Sequence, residues 1–127
     1  MRSIFTIATM LLISTYAAQA FGHGEDQPGP HGGEIRMPGA FHVEVVRKPG
    51  LIQVYLLDMH FKNPTVKNSE VIASVLANGK TIGLKCRPEA SAFNCPLPSS
   101  VKTKGALLQV NAQRGEQKTT VAAEYTL

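Results

Sequence analysis

Four histidines, His23, His31, His42 and His60, fall within 38 consecutive residues of a 127-residue chain. Imidazole is the commonest protein ligand for zinc, copper and nickel. Other donors stand close in sequence: Glu25, Asp26, Glu34, Met37, Glu44, Asp58 and Met59. Imidazole with thioether favours copper, above all Cu(I), and imidazole with carboxylate also admits zinc. The cluster therefore points to metal binding. His31 and His42 are the leading candidate ligands, His23 and His60 further candidates, and Met59 and Glu44 supplementary donors.

Catalysis has no comparable foothold. The chain contains no Gly-x-Ser-x-Gly, His-Glu-x-x-His or Cys-x-x-Cys, the arrangements that would supply a nucleophile elbow, a zinc hydrolase site or a redox dithiol. A binding protein is expected, not an enzyme. Nucleic acid is not an expected partner: there is no Trp, aromatics are 6%, and no run of like charge reaches five residues.

Residues 1–20 (MRSIFTIATMLLISTYAAQA) have the layout of an export signal. Arg2 gives a short positive region, Ile4 to Tyr16 an apolar stretch, and Ala18-Gln19-Ala20 a cleavage site, so the mature chain would begin at Phe21. A bacterial periplasm is the simplest destination, with no stable membrane insertion after cleavage. Removing Arg2 lowers the formal charge from +4 to +3. Cys86 and Cys95, an even pair nine residues apart, are expected to form a disulfide in that oxidising compartment.

The elements that must position the donors follow from the hydrophobic pattern. Residues 21–40 hold six Gly and three Pro and read as an irregular leader. From Phe41 onward apolar and polar residues alternate with period 2. Strands are expected at 41–45, 51–58, 70–77, 80–87, 93–97, 105–112 and 117–125, with Asn78-Gly79 as a tight hairpin turn. About seven short strands in a mature chain near 107 residues predict one all-β domain over 41–127. The expected fold is an Ig-like antiparallel β-sandwich, with a small barrel as the alternative. Placing Phe41, Val43 and Val45 in the core with Ile52, Val54 and Leu56 requires a two- or four-residue loop at Pro49-Gly50. His42 and Glu44 then share the outer face with Tyr55 and Met59. Asp58 and His60 would point the other way, beyond the edge of the core.

Three segments together carry a resemblance: Pro30-His31-Gly32-Gly33-Glu34, Phe41-His42-Val43-Glu44-Val45-Val46 and Val54-Tyr55-Leu56-Leu57-Asp58. They resemble the N-terminal heavy-metal-associated β domain of periplasmic metal-efflux adaptor proteins and its small free-standing relatives. The resemblance spans about residues 23–64, and His-Gly-Gly is its most informative part. It implies binding of a copper or zinc ion in the periplasm, for sequestration or for transfer to an efflux or metallochaperone partner. The chain lacks the length expected for the helical hairpin and lipoyl-like domain of a full adaptor. The competing expectation is a metal-independent periplasmic interaction module that uses the edges or loops of the sandwich.

Overall fold

A computed structural model describes residues 27–115 and 117–127. The expected signal segment and His23 lie outside the described residues. Among the described residues nine strands form: β1 (Glu34–Arg36), β2 (His42–Lys48), β3 (Leu51–Leu57), β4 (Glu70–Ala77), β5 (Lys80–Leu84), β6 (Arg87–Glu89), β7 (Ala92–Pro96), β8 (Leu107–Gln113) and β9 (Val121–Thr126). They make two antiparallel sheets, one ordered β1-β2-β3-β7-β6 and the other β5-β4-β8-β9. The chain is thus the all-β antiparallel sandwich that the alternation predicts. Among the described residues no helix is long and apolar enough to cross a membrane.

The core lies between the sheets. Phe41, Val43, Val45, Ile52, Val54 and Leu56 meet Val71, Val75, Leu108, Val110 and Tyr125, all buried. The β2–β3 hairpin turns on two residues, Pro49 and Gly50, so odd positions of β2 pair with even positions of β3. Asn78 and Gly79 both have positive φ, 51° and 72°, as a tight hairpin turn with matching twist requires. The Tyr125 hydroxyl donates to the Val43 carbonyl at 2.7 Å and so links β9 to β2 across the core.

Three features depart from the sequence expectation. The strand count is nine, not about seven. Part of the stretch read as irregular forms β1, whose Ile35 is buried opposite Glu44; alternation cannot be recognised in three residues flanked by Gly and Pro. The segment read as one strand over 80–87 is two. Its first part pairs with β4 in one sheet, and the chain then crosses at Lys85-Cys86 to pair with β7 in the other. Periodicity marks extended chain but does not say which sheet it joins.

Cys86 and Cys95 form a disulfide beside that crossing. The bond closes the β6–β7 hairpin next to its Arg87↔Asn94 pair and holds a three-residue edge strand that has few ladder bonds of its own. A Cys86→Ala/Cys95→Ala variant is expected to lose about 2–3 kcal/mol of stability on the chain-entropy scale for a loop of this length. Urea unfolding of the two proteins checks this; an unchanged midpoint would show that β6 holds without the bond.

Candidate functional site

The outer face of the five-stranded sheet carries the candidate donors. With Val43 and Val45 turned inward, His42 and Glu44 turn outward, paired in register with Leu57 and Tyr55. That face is not open to solvent but covered. Ile35, His42, Glu44 and Leu57 are each at most 1% accessible. Residues 29–33 lie over Glu44, and residues 58–63 close over His42.

Glu44 organises the first cover. Oε1 accepts the backbone N–H groups of His31 (2.9 Å) and Gly33 (3.0 Å), and Oε2 accepts from His31 Nδ1 at 2.7 Å. A carboxyl group this deep must be matched by donors, and here every donor comes from the leader. The leader fits only because it is glycine-rich. A Cβ at Gly33 would stand 2.5 Å from the Val45 carbonyl oxygen, and one at Gly29 would fall on the Glu44 carboxyl group. Gly32 turns the chain with φ of 77°, in the region where a side chain is penalised.

His31 is pinned on two sides. Its Nδ1 faces Glu44, and its ring stacks on Tyr55 with centroids 3.7 Å apart and planes within 5°. About a third of the side chain remains accessible.

His42 is held by the second cover. Its Nδ1 lies 2.8 Å from the Asp58 carbonyl oxygen, and its ring packs on Phe61 at 4.0 Å between centroids. The loop was expected to project Asp58 away from the core as a continuation of β3. The strand stops at Leu57, and Asp58 instead gathers the loop. Its Oδ1 accepts the N–H groups of His60 and Lys62, and its Oδ2 accepts from the Asn63 amide. Arg114 adds hydrogen bonds to the Leu56 and Asn63 carbonyls. These contacts hold Phe61 at φ of 61°, a conformation that costs a bulky residue about 1–3 kcal/mol and persists only under external constraint.

The two rings share one consequence. A carbonyl or carboxylate oxygen only accepts, so each Nδ1 carries the proton. In the neutral imidazole the lone pair then sits on Nε2 at both residues. His42 Nε2 is buried and has no hydrogen-bond partner among the described residues. Buried polar atoms are nearly always partnered, so this nitrogen is the atom in the site with unused coordinating capacity.

The full ligand set expected from the sequence is not assembled. Among the described residues no group of three or more His, Cys, Asp or Glu side chains is placed to hold a metal ion. Met59 and His60 are exposed on the loop that carries Phe61. Both Glu44 oxygens are engaged with the leader, so Glu44 acts here as an anchor and not as a free donor. Tyr55, Phe61 and Asp58 are not among the candidate ligands read from the sequence; Asp58 stands there only as a nearby donor and Tyr55 as a neighbour on the outer face, and no sequence signal points to Phe61. The chain matches no protein-family model, no curated protein and no solved structure.

Two outcomes check the scaffold. Glu44→Gln places an amide NH2 among N–H donors and is expected to cost about 2–4 kcal/mol; Gly33→Ala is expected to cost about 1–3 kcal/mol through its clash with β2. Both are measured by urea titration, and Tyr55 fluorescence reports whether His31 has left its ring. Asp58 supplies a pH test. The Lys62 N–H, chiefly, with the Asn63 amide and the His60 N–H, hold its carboxyl below the ordinary value against a smaller desolvation effect. The stabilisation is therefore complete above the unfolded carboxyl value and disappears as pH falls through the lower folded value. Carboxyl carbon shifts in an NMR titration should show Asp58 protonating below the same group in the denatured chain.

Proposed function

We propose that this chain is an exported metal-binding protein of the copper or zinc class, which sequesters a cation in the periplasm or hands it to an efflux or metallochaperone partner. The observation that carries the reading is the buried His42 Nε2 lone pair without a partner. His31 supports it. Its Nδ1–H is held by the Glu44 carboxyl group, which orients the ring and leaves Nε2 as the free nitrogen, as the outer partners of metal-binding histidines do.

The donor chemistry fits a soft cation better than a hard one. The Glu44 and Asp58 oxygens are committed to N–H groups, and Glu34 pairs with Arg36 and Arg47. Neutral imidazole and the Met59 thioether remain, a set that favours Cu(I) over zinc. His42 Nε2 and His31 Nε2 would be the principal ligands. Met59, His60 or His23 would complete the set, and Phe61 would have to shift from the His42 ring as the ion enters. The disulfide is compatible with an oxidising compartment.

Titration of the mature chain with Cu(I) under anaerobic competition, and with Zn(II) by calorimetry, tests the reading. Cu(I) is expected to bind more tightly. His42→Ala and His31→Ala are each expected to weaken binding by about tenfold or more, and Met59→Leu by less. Affinity equal to that of a variant with all four histidines replaced by alanine would rule the reading out.

A further inference from the structure

At the end of the sandwich away from His42 lie the Pro49-Gly50 turn, the Asn78-Gly79 turn and the 97–106 segment. The Leu97 N–H donates to the Gly50 carbonyl at 2.9 Å and ties two of these together. Two open cavities, about 340 and 450 Å³, meet at Leu97 and Pro98. Ile52 and Val101 line the first, and Gly83 and Leu84, from the edge of β5, line the second.

The rim of this groove is positive. Arg47 and Lys48 stand at one cavity and Lys85 and Arg87 at the other, while Lys102 and Lys104 lie beside the 78–79 turn. Arg47 is paired with Glu34, but Lys48, Lys85, Arg87, Lys102 and Lys104 form no ion pair among the described residues. No Asp or Glu lines either cavity. Apart from Arg47, these cations have no side-chain counter-charge among the described residues, and like charges gathered around an apolar floor raise the local potential and attract an anionic partner.

The shape separates the candidate partners. A bilayer surface needs protruding apolar side chains, but the large exposed ones, Met59, Ile72 and Leu76, line neither cavity. The apolar atoms here are recessed. Beside them runs β5, which among the described residues pairs only with β4 and has no strand on its other edge; a Cβ at Gly83 would meet nothing within 4 Å. An open strand edge next to apolar hollows suits an extended polypeptide, and lysines flanking that edge oppose pairing with anything but an acidic strand.

We propose that this groove receives an extended acidic segment of a partner protein. Its apolar side chains enter the cavities that meet at Leu97 and Pro98, and its carboxylates face Lys48, Lys85 and Arg87. The groove is about 20 Å along β2 from His42, at ~3.3 Å per residue, so docking leaves the histidine face free and is independent of the metal reading.

Fluorescence anisotropy on the mature chain tests this with a labelled eight-residue peptide alternating Glu and Val, its Lys-Val counterpart, and phosphatidylglycerol vesicles. The Glu-Val peptide should bind, more weakly as salt rises, and the Lys-Val peptide should not. Lys85→Glu/Arg87→Glu should weaken binding by about tenfold or more, with the thermal midpoint and Cu(I) affinity unchanged; Leu97→Asp should weaken it at least as much but also lower the thermal midpoint, because Leu97 packs against the core. Amide shifts should move at 81–87 and 97–103. No saturation by about 1 mM peptide, equal binding by the charge-reversed variant, or vesicle binding that the same reversals abolish would each overturn the proposal.

Discussion

A carboxyl group buried on the outer face of a sheet must find donors, and the Glu44 side chain finds them only in the segment that precedes β1. That one requirement shapes the candidate site. Two backbone N–H groups and an imidazole converge on the carboxyl group, so residues 29–33 must fold back over the sheet. Once they do, β1 can add to the edge of β2, and Ile35 seals the flank. The need for close approach makes glycine obligatory at positions 29 and 33. Burying a charge is unfavourable in itself. What it secures here is a defined path for a chain segment with little hydrophobic content to hold it.

The second cover follows a parallel logic with a different anchor. Asp58 supplies the acceptors for its own loop, and the Asp58 carbonyl takes the His42 Nδ1–H. The sheet, through residues 42 and 44, thus fixes both imidazoles by the same nitrogen: one by a carboxylate from β2, the other by a carbonyl beyond the end of β3. Each ring also lies against an aromatic side chain, Tyr55 or Phe61. Rotation and tautomer are set together, so the reactive nitrogen of each ring is Nε2 before any ligand arrives. This is the preorganisation on which the proposed metal chemistry relies.

The two ends of the sandwich differ in charge and chemistry. Among the described residues His31, His42, His60, Met59 and the Asp58 turn gather toward the start of β2, and unpaired lysines gather where it ends. On the two proposals above, the first end would hold the cation and the second would receive the acidic segment, so the two sites would not compete for the same surface.

Much of the frame was legible in the sequence. Period-2 alternation at 41–45 and 51–58 marked the strands, one residue too far at Asp58, and hydrophobic parity limited the β2–β3 loop to two or four residues, which put His42 and Glu44 on the outer face. Asn78-Gly79 named its own turn because few other residues accept two positive φ values. These are local properties, written in neighbouring residues. What covers the outer face was not legible, because a Gly-Pro segment carries no periodicity and its docking depends on a carboxyl group eleven or more positions away. The sheet crossing at Lys85-Cys86 and the convergence of lysines from three separate segments are likewise long-range. Sequence determined most of the strands and, within them, which side of the strand each side chain takes. Only the tertiary structure decided which of those sides meets water, since burial depends on segments brought together from a distance.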